Sequence, residues 1–141
     1  MSDTEDHPDE GGDPACWAHL AGDDTATTID LGPLLRELER AGGDGVHWTL
    51  DGPSELNANL VRLDPGHEMP EHVNDAVDVL LIVLAGRGLL RVGTRAVPLA
   101  PPALAHLPKG ERRAVQAGPE GLAYLTVHRR RPGPEITPRN R

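Results

Sequence analysis

Phenylalanine is absent from this 141-residue chain, and two tryptophans and one tyrosine are its only aromatic residues. A stacked aromatic core is therefore excluded, and Val, Leu, Ile and Ala must supply the buried surface. A single cysteine, Cys16, excludes an intrachain disulfide and gives no sign of an oxidising compartment. Long apolar runs are missing too. The longest, Val79 to Ala85, falls far short of the roughly 20 residues that span a bilayer as a helix. The first residues lack the basic-then-apolar layout of a secretory signal. We therefore expect a soluble, cytoplasmic protein with no membrane partner. Lysine is scarce as well, with Lys109 alone against thirteen arginines, a bias that reads as genome composition.

What the chain has in quantity is turn formers, 16 glycines and 14 prolines. At this length there is room for one domain with a real core and not for two ordinary ones. Abundant turns and an aliphatic core predict an all-β barrel or sandwich in preference to a helical bundle. The formal net charge of −8 is unevenly placed. Asp3, Glu5, Asp6, Asp9, Glu10 and Asp13 crowd the first 14 residues without a Lys or Arg, and five arginines face the single Glu135 from Arg129 onward. Residues 1–14 read as a disordered acidic leader and 130–141 as a flexible basic tail. An acidic chain argues against nucleic acid as the main partner.

Between these ends, 15–45 reads as an N-terminal segment with one amphipathic helix, and 46–129 as the β-domain. Cys16 and His19 form a C-x-x-H pair, but no second cysteine pair completes a tetrahedral metal site. Trp17 and Leu20 are better read as packing the leader onto the domain. In "TTIDLGPLLRELERAGG" the residues Leu31, Leu34, Leu35 and Leu38 recur at helical spacing on one face. Asp30 suits the N-cap, Pro33 the first turn, and Gly42 and Gly43 the stop. From Val46 the period falls to two. Strands are predicted at 46–50, 56–63, 79–84, 89–92, 95–99, 103–107, 112–117 and 122–129, with turns at Gly86-Arg87-Gly88 and Gly93-Thr94. Short strands at this spacing indicate a closed or sandwiched antiparallel sheet.

One stretch carries a recognisable pattern. Gly66 is followed by five residues and then His72, Asn74 stands two further on, and Gly86 closes an apolar run. Later, Pro108 and Gly110 form a P-x-G turn. In this order the features resemble a small single-domain cupin, whose motifs are G-x5-H-x-H-x3,4-E-x6-G and G-x5-P-x-G-x2-H-x3-N. The resemblance covers about residues 57–128. It implies a jelly-roll β-barrel with a site in its open mouth, and barrels that pair edge to edge as a homodimer. The family's metal site takes three imidazoles and one carboxylate; here those positions read His72, Asn74, Val79 and Arg113. The carboxylate position has two registers, Asp78 or Val79, and the closing Gly86 favours Val79.

A transition metal at that place is not expected. Asn is a weak neutral ligand, Val is none, and a guanidinium repels a divalent cation. Two uses of the surviving residues stay open. If Arg113 points inward and Arg112 outward, then Arg113, His72 and Asn74 form a metal-free pocket for a small anionic or polar ligand, with His106 near its mouth. If both arginines point outward, they are a solvated pair. An alternative metal-dependent enzyme, of oxygenase or isomerase type, would gather His67, His72 and His106 around a divalent transition metal. A structural or partner-binding module is the further alternative. No phosphate loop, dinucleotide fingerprint or Ser-His-Asp arrangement is present. The leading expectation is therefore a small-molecule-binding or sensing protein without a cofactor, whose ligand the fold alone does not name.

Overall fold

The structure is a computed structural model, and it describes residues 28–130. The acidic leader, the Cys16–His19 pair and all but the first residue of the basic tail lie outside the described residues. Among the described residues one helix, α1 (Leu31–Ala41), precedes seven strands. Its apolar stripe works as the spacing predicts. Leu38 is buried, and Gly42 N–H donates to the Leu38 carbonyl at 2.9 Å to close the last turn. Among the described residues no helix is long and apolar enough to cross a membrane.

The strands are β1 (Gly45–Thr49), β2 (Leu56–Leu63), β3 (Glu68–Val73), β4 (Val79–Val92), β5 (Arg95–Leu99), β6 (Ala103–Leu107) and β7 (Arg112–Arg129). All pair antiparallel, in the order β1-β2-β7-β4-β5, with β3 also on β7 and β6 also on β4. The long β4–β7 ribbon is the spine of the molecule. Each of its halves carries a different pair of flanking strands, so one sheet folds over on itself and encloses an aliphatic interior.

The Gly93-Thr94 turn forms, but the expected turn at Gly86-Arg87-Gly88 and the expected break between 117 and 122 do not. Residues 79–92 form one 14-residue strand in place of two, and 112–129 form one 18-residue strand. The glycines that read as turns are the sites where the β4–β7 register slips, between Val83 and Ala85 and between Gly86 and Gly88. Such bulges bend a strand without ending it, and they exchange its faces. The exchange is visible in the core. Val79, Leu81 and Val83 point inward at odd positions, and Leu90 and Val92 take over at even ones. Across the ribbon, Val115 and Ala117 give way to Leu122 and Tyr124. At Gly86 the backbone has φ +77°, and a Cβ there would collide with the Gly121 carbonyl oxygen. Only glycine permits so close an approach, which lets the ribbon fold sharply.

Candidate functional site

Strand alternation decides which side chains enter the barrel. On β7, Arg113 and Val115 face in before the bulge, and Tyr124, Thr126 and His128 after it. On β2, Asn59 and Val61 face in. The loop that leads into β4 adds Asn74, and β4 itself adds Val79 and Leu81. These side chains, with Met69 and His72 of β3, line a cavity of about 210 Å³. His72, Asn74 and Arg113 thus share one cavity. Val79 lines it at the position where the resemblance would place a carboxylate, and Asp78 does not. Arg113 is 5% exposed, while its neighbour Arg112 points out to an ion pair with Glu71 at 2.8 Å. The reading of both arginines as a solvated pair is therefore excluded.

His106 is placed elsewhere. It is exposed, on the opposite face of β6 from the buried Leu107. Its Nε2 lies 3.5 Å from Asp78 Oδ2 in a separate recess of about 460 Å³, together with Lys109 and Arg129. The phase of β6 accounts for this: a one-residue offset from an inward leucine sends a side chain outward. The Lys109 backbone N–H donates to Asp78 Oδ1 at 2.9 Å, and with His106 it holds the Asp78 carboxyl below its ordinary range. His67 is also outside the cavity, so the alternative cluster of His67, His72 and His106 does not form.

Several polar side chains of the cavity wall are committed on one side. Asn74 is buried, and its Oδ1 accepts from the backbone N–H groups of Ala76 at 3.0 Å and Val77 at 3.2 Å. This is an Asx-type turn, the local bonding for which asparagine is favoured in loops. Its other polar atom, Nδ2, can only donate. Asn59 Oδ1 accepts from the Thr49 hydroxyl at 2.8 Å, which leaves an NH₂ there too. His72 Nδ1–H donates to the Pro70 carbonyl at 3.1 Å, and His128 Nδ1–H to the Arg129 carbonyl at 2.8 Å. In each neutral imidazole Nε2 is then the acceptor. The Tyr124 hydroxyl donates to Met69 Sδ at 3.7 Å. Burial pushes its phenol up to about 12, against the opposing pull of the Arg113 charge.

The metal of the resembled family does not fit this wall. Asn74 has its one ligating atom turned into the loop, Val79 offers none, and Arg113 brings a fixed positive charge. Of the four family positions, His72 alone retains ligand character. A different group of metal-ligand types lies outside the cavity, where the segment after α1 meets the β2–β3 turn. There Asp44, Asp64 and His67 hold their ligand atoms within 4.8 Å of one another. They are already bonded to one another and to the backbone. Asp44 Oδ1 accepts from Asp64 N–H at 2.7 Å, Asp44 Oδ2 binds His67 Nδ1, and Asp64 Oδ1 takes Gly43 N–H at 2.9 Å and Arg62 Nε at 3.2 Å. The Asp64 N–H bond and His67 hold the Asp44 carboxyl below its ordinary range, and Asp44 raises the His67 imidazole. The group clasps residues far apart in sequence.

Sequence reading missed both this clasp and the β7 wall of the cavity. For Tyr124, Thr126 and His128 the signal was present, since they occupy alternate positions of one strand.

No protein-family model matches the chain, and no curated protein matches it. Solved structures do. The cupin domain of Cnp3 from Schizosaccharomyces pombe superposes with a TM-score of 0.54 at 17% identity, covering 58% of this chain and 58% of that one. The chain thus spans less than two thirds of that relative's length. A conserved protein with a double-stranded β-helix domain from Klebsiella pneumoniae gives 0.55 at 17% identity, covering 62% and 77%. The TT1209 protein of Thermus thermophilus gives 0.54 at 27% identity, covering 67% and 95%. The fold is that of the cupins, the double-stranded β-helix.

Proposed function

We propose that this cupin-fold protein binds a small organic anion in its barrel cavity without a metal ion, and that Arg113 is the anchor. One observation carries the reading. The buried polar or charged side chains among the described residues are Asn74 and Arg113, and both line that one cavity. A buried guanidinium is costly to desolvate, and a planar fork of donors suits a carboxylate held in two-point contact. The rest of the wall is largely Val, Leu and Met, which favours a ligand with an apolar part. Such a protein acts as a binding or sensing module.

The test is thermal denaturation of the purified chain with formate, acetate and propionate, each against chloride at matched ionic strength. A ligand at a hundred times its Kd stabilises by about 2.7 kcal/mol. Stabilisation that disappears in Arg113→Met supports the reading, and equal stabilisation of both proteins overturns it.

A second reading, metal-dependent chemistry, draws on the Asp44–Asp64–His67 group and sits outside the cavity. Its mark is a near-stoichiometric transition metal in untagged protein that His67→Ala removes. Arg62 at Asp64 opposes it.

A further inference from the structure

The donors and acceptors of the cavity wall specify more than an anion. Resting on the anion-binding reading above, we propose that the ligand is a short 2-hydroxy acid, a carboxylate with a hydroxyl on the adjacent carbon. Arg113 has donors and no acceptor. Asn74 is reduced to a donor because two backbone N–H groups occupy its oxygen, and Asn59 offers its NH₂ because Thr49 holds its oxygen. This set suits a carboxylate, which only accepts.

The two imidazoles are set the opposite way. Carbonyls can only accept, so Pro70 and Arg129 fix the ring proton of His72 and His128 on Nδ1. In the neutral form of each ring Nε2 is left as an acceptor, which a carboxylate cannot satisfy and a hydroxyl can. A ligand that complements both sets, all of which line the one cavity, carries an anion and a hydrogen-bond donor. Size narrows the class. The cavity measures about 210 Å³, which suits a short acid of three or four carbons. The valine and leucine walls suit its alkyl end.

The experiment is calorimetric titration of the full chain at neutral pH with lactate, propionate and pyruvate. These share size and charge and differ at one carbon, which carries a hydroxyl, nothing, or a carbonyl. Lactate is expected to bind about five- to tenfold more tightly than either of the others, the effect of one added hydrogen bond to a waiting acceptor. Replacing His72 or His128 with Leu, each measured separately, should bring that ratio close to one in at least one variant while propionate still binds. If propionate binds as tightly as lactate, the hydroxyl assignment falls and the anion reading stands. If pyruvate equals lactate, the wall donates at that point and the assignment falls in the same way. If none of the three binds, and formate and acetate fail as well, the anion reading itself falls. An undiminished lactate preference in both histidine variants overturns the role given to the imidazoles.

Discussion

Asn74 holds the turn into β4 with its oxygen and faces the cavity with its nitrogen, so two substitutions there should separate stability from binding. In Asn74→Ala both backbone bonds to Oδ1 are lost. The Val77 N–H is buried and would have no replacement, at a cost of about 1–3 kcal/mol. Ala76 is exposed, so water recovers most of its bond, and the total is roughly 2–3 kcal/mol. At about 4 °C per kcal/mol for a domain of this size, Tm should fall by roughly 8–12 °C. Asn74→Asp keeps both acceptors, and its carboxylate is stabilised by the same two N–H groups. Its stability at neutral pH should stay within about 1 kcal/mol of the parent. Binding should respond in the other order. The Asp variant loses its donor and sets a negative charge beside the ligand's, a juxtaposition that costs several kcal/mol, so carboxylate affinity should drop at least about 100-fold. Urea denaturation measures the first effect and calorimetry the second. Equal destabilisation of the two variants would refute the turn role. Parental affinity in Asn74→Asp would refute the donor role.

Other consequences are open to measurement. Tyr124 is the single tyrosine, so phenolate absorbance reports on it alone; the folded protein should titrate with a midpoint at about 12, and a midpoint near 10 would mean that water reaches the cavity wall. Gly86→Ala must push apart two backbones at positive φ and should cost about 3–5 kcal/mol, whereas Gly93→Ala meets nothing within 4 Å and should cost only about 1–2 kcal/mol. Similar losses at both positions would contradict the bulge account. The Asp44–His67 bond should make stability depend on pH in a defined direction. A raised histidine contributes fully below its ordinary value of 6.5, and that contribution is lost as pH rises through the higher folded value; a lowered Asp44 contributes above 3.8, and that is lost as pH falls below it. His67→Ala should therefore flatten the decline above pH 6.5, and a variant with the parental slope there would remove the clasp from the explanation.

Much of the fold is legible because local rules agree with long-range pairing. β2, β5 and β6 occupy the residues predicted from alternation between Gly and Pro turns. Legibility fails where one local signal has two structural meanings. A Gly-x-Gly run reads as a turn, and whether it is a turn or a bulge depends on what lies opposite. At Gly86 the opposite chain is Gly121 and Leu122, 35 residues away or more, which no window of sequence reveals. The cavity shows the same division. Spacing and resemblance bring His72, Asn74 and Arg113 together and put Val79 where a carboxylate would be. His106 was misplaced because its strand's phase is set by Leu107. The use of Asn74 could not be read from its position, because its oxygen is taken by a turn that forms only when the chain enters β4. The clasp of Asp44 with Asp64 and His67 joins residues 20 and 23 apart, across β1 and β2.

The central claim is that Arg113 and Asn74 hold one small anion inside the barrel. Side-chain amide and guanidinium NMR observes both directly in a 15.1 kDa chain. On titration with lactate, the Arg113 Nε–H and Asn74 Nδ2–H₂ signals should shift together and saturate at one common Kd, in metal-free buffer, while the Arg112 signal stays still. Unmoved Arg113 and Asn74 signals at saturating lactate, or shifts that require an added divalent metal, would contradict the account.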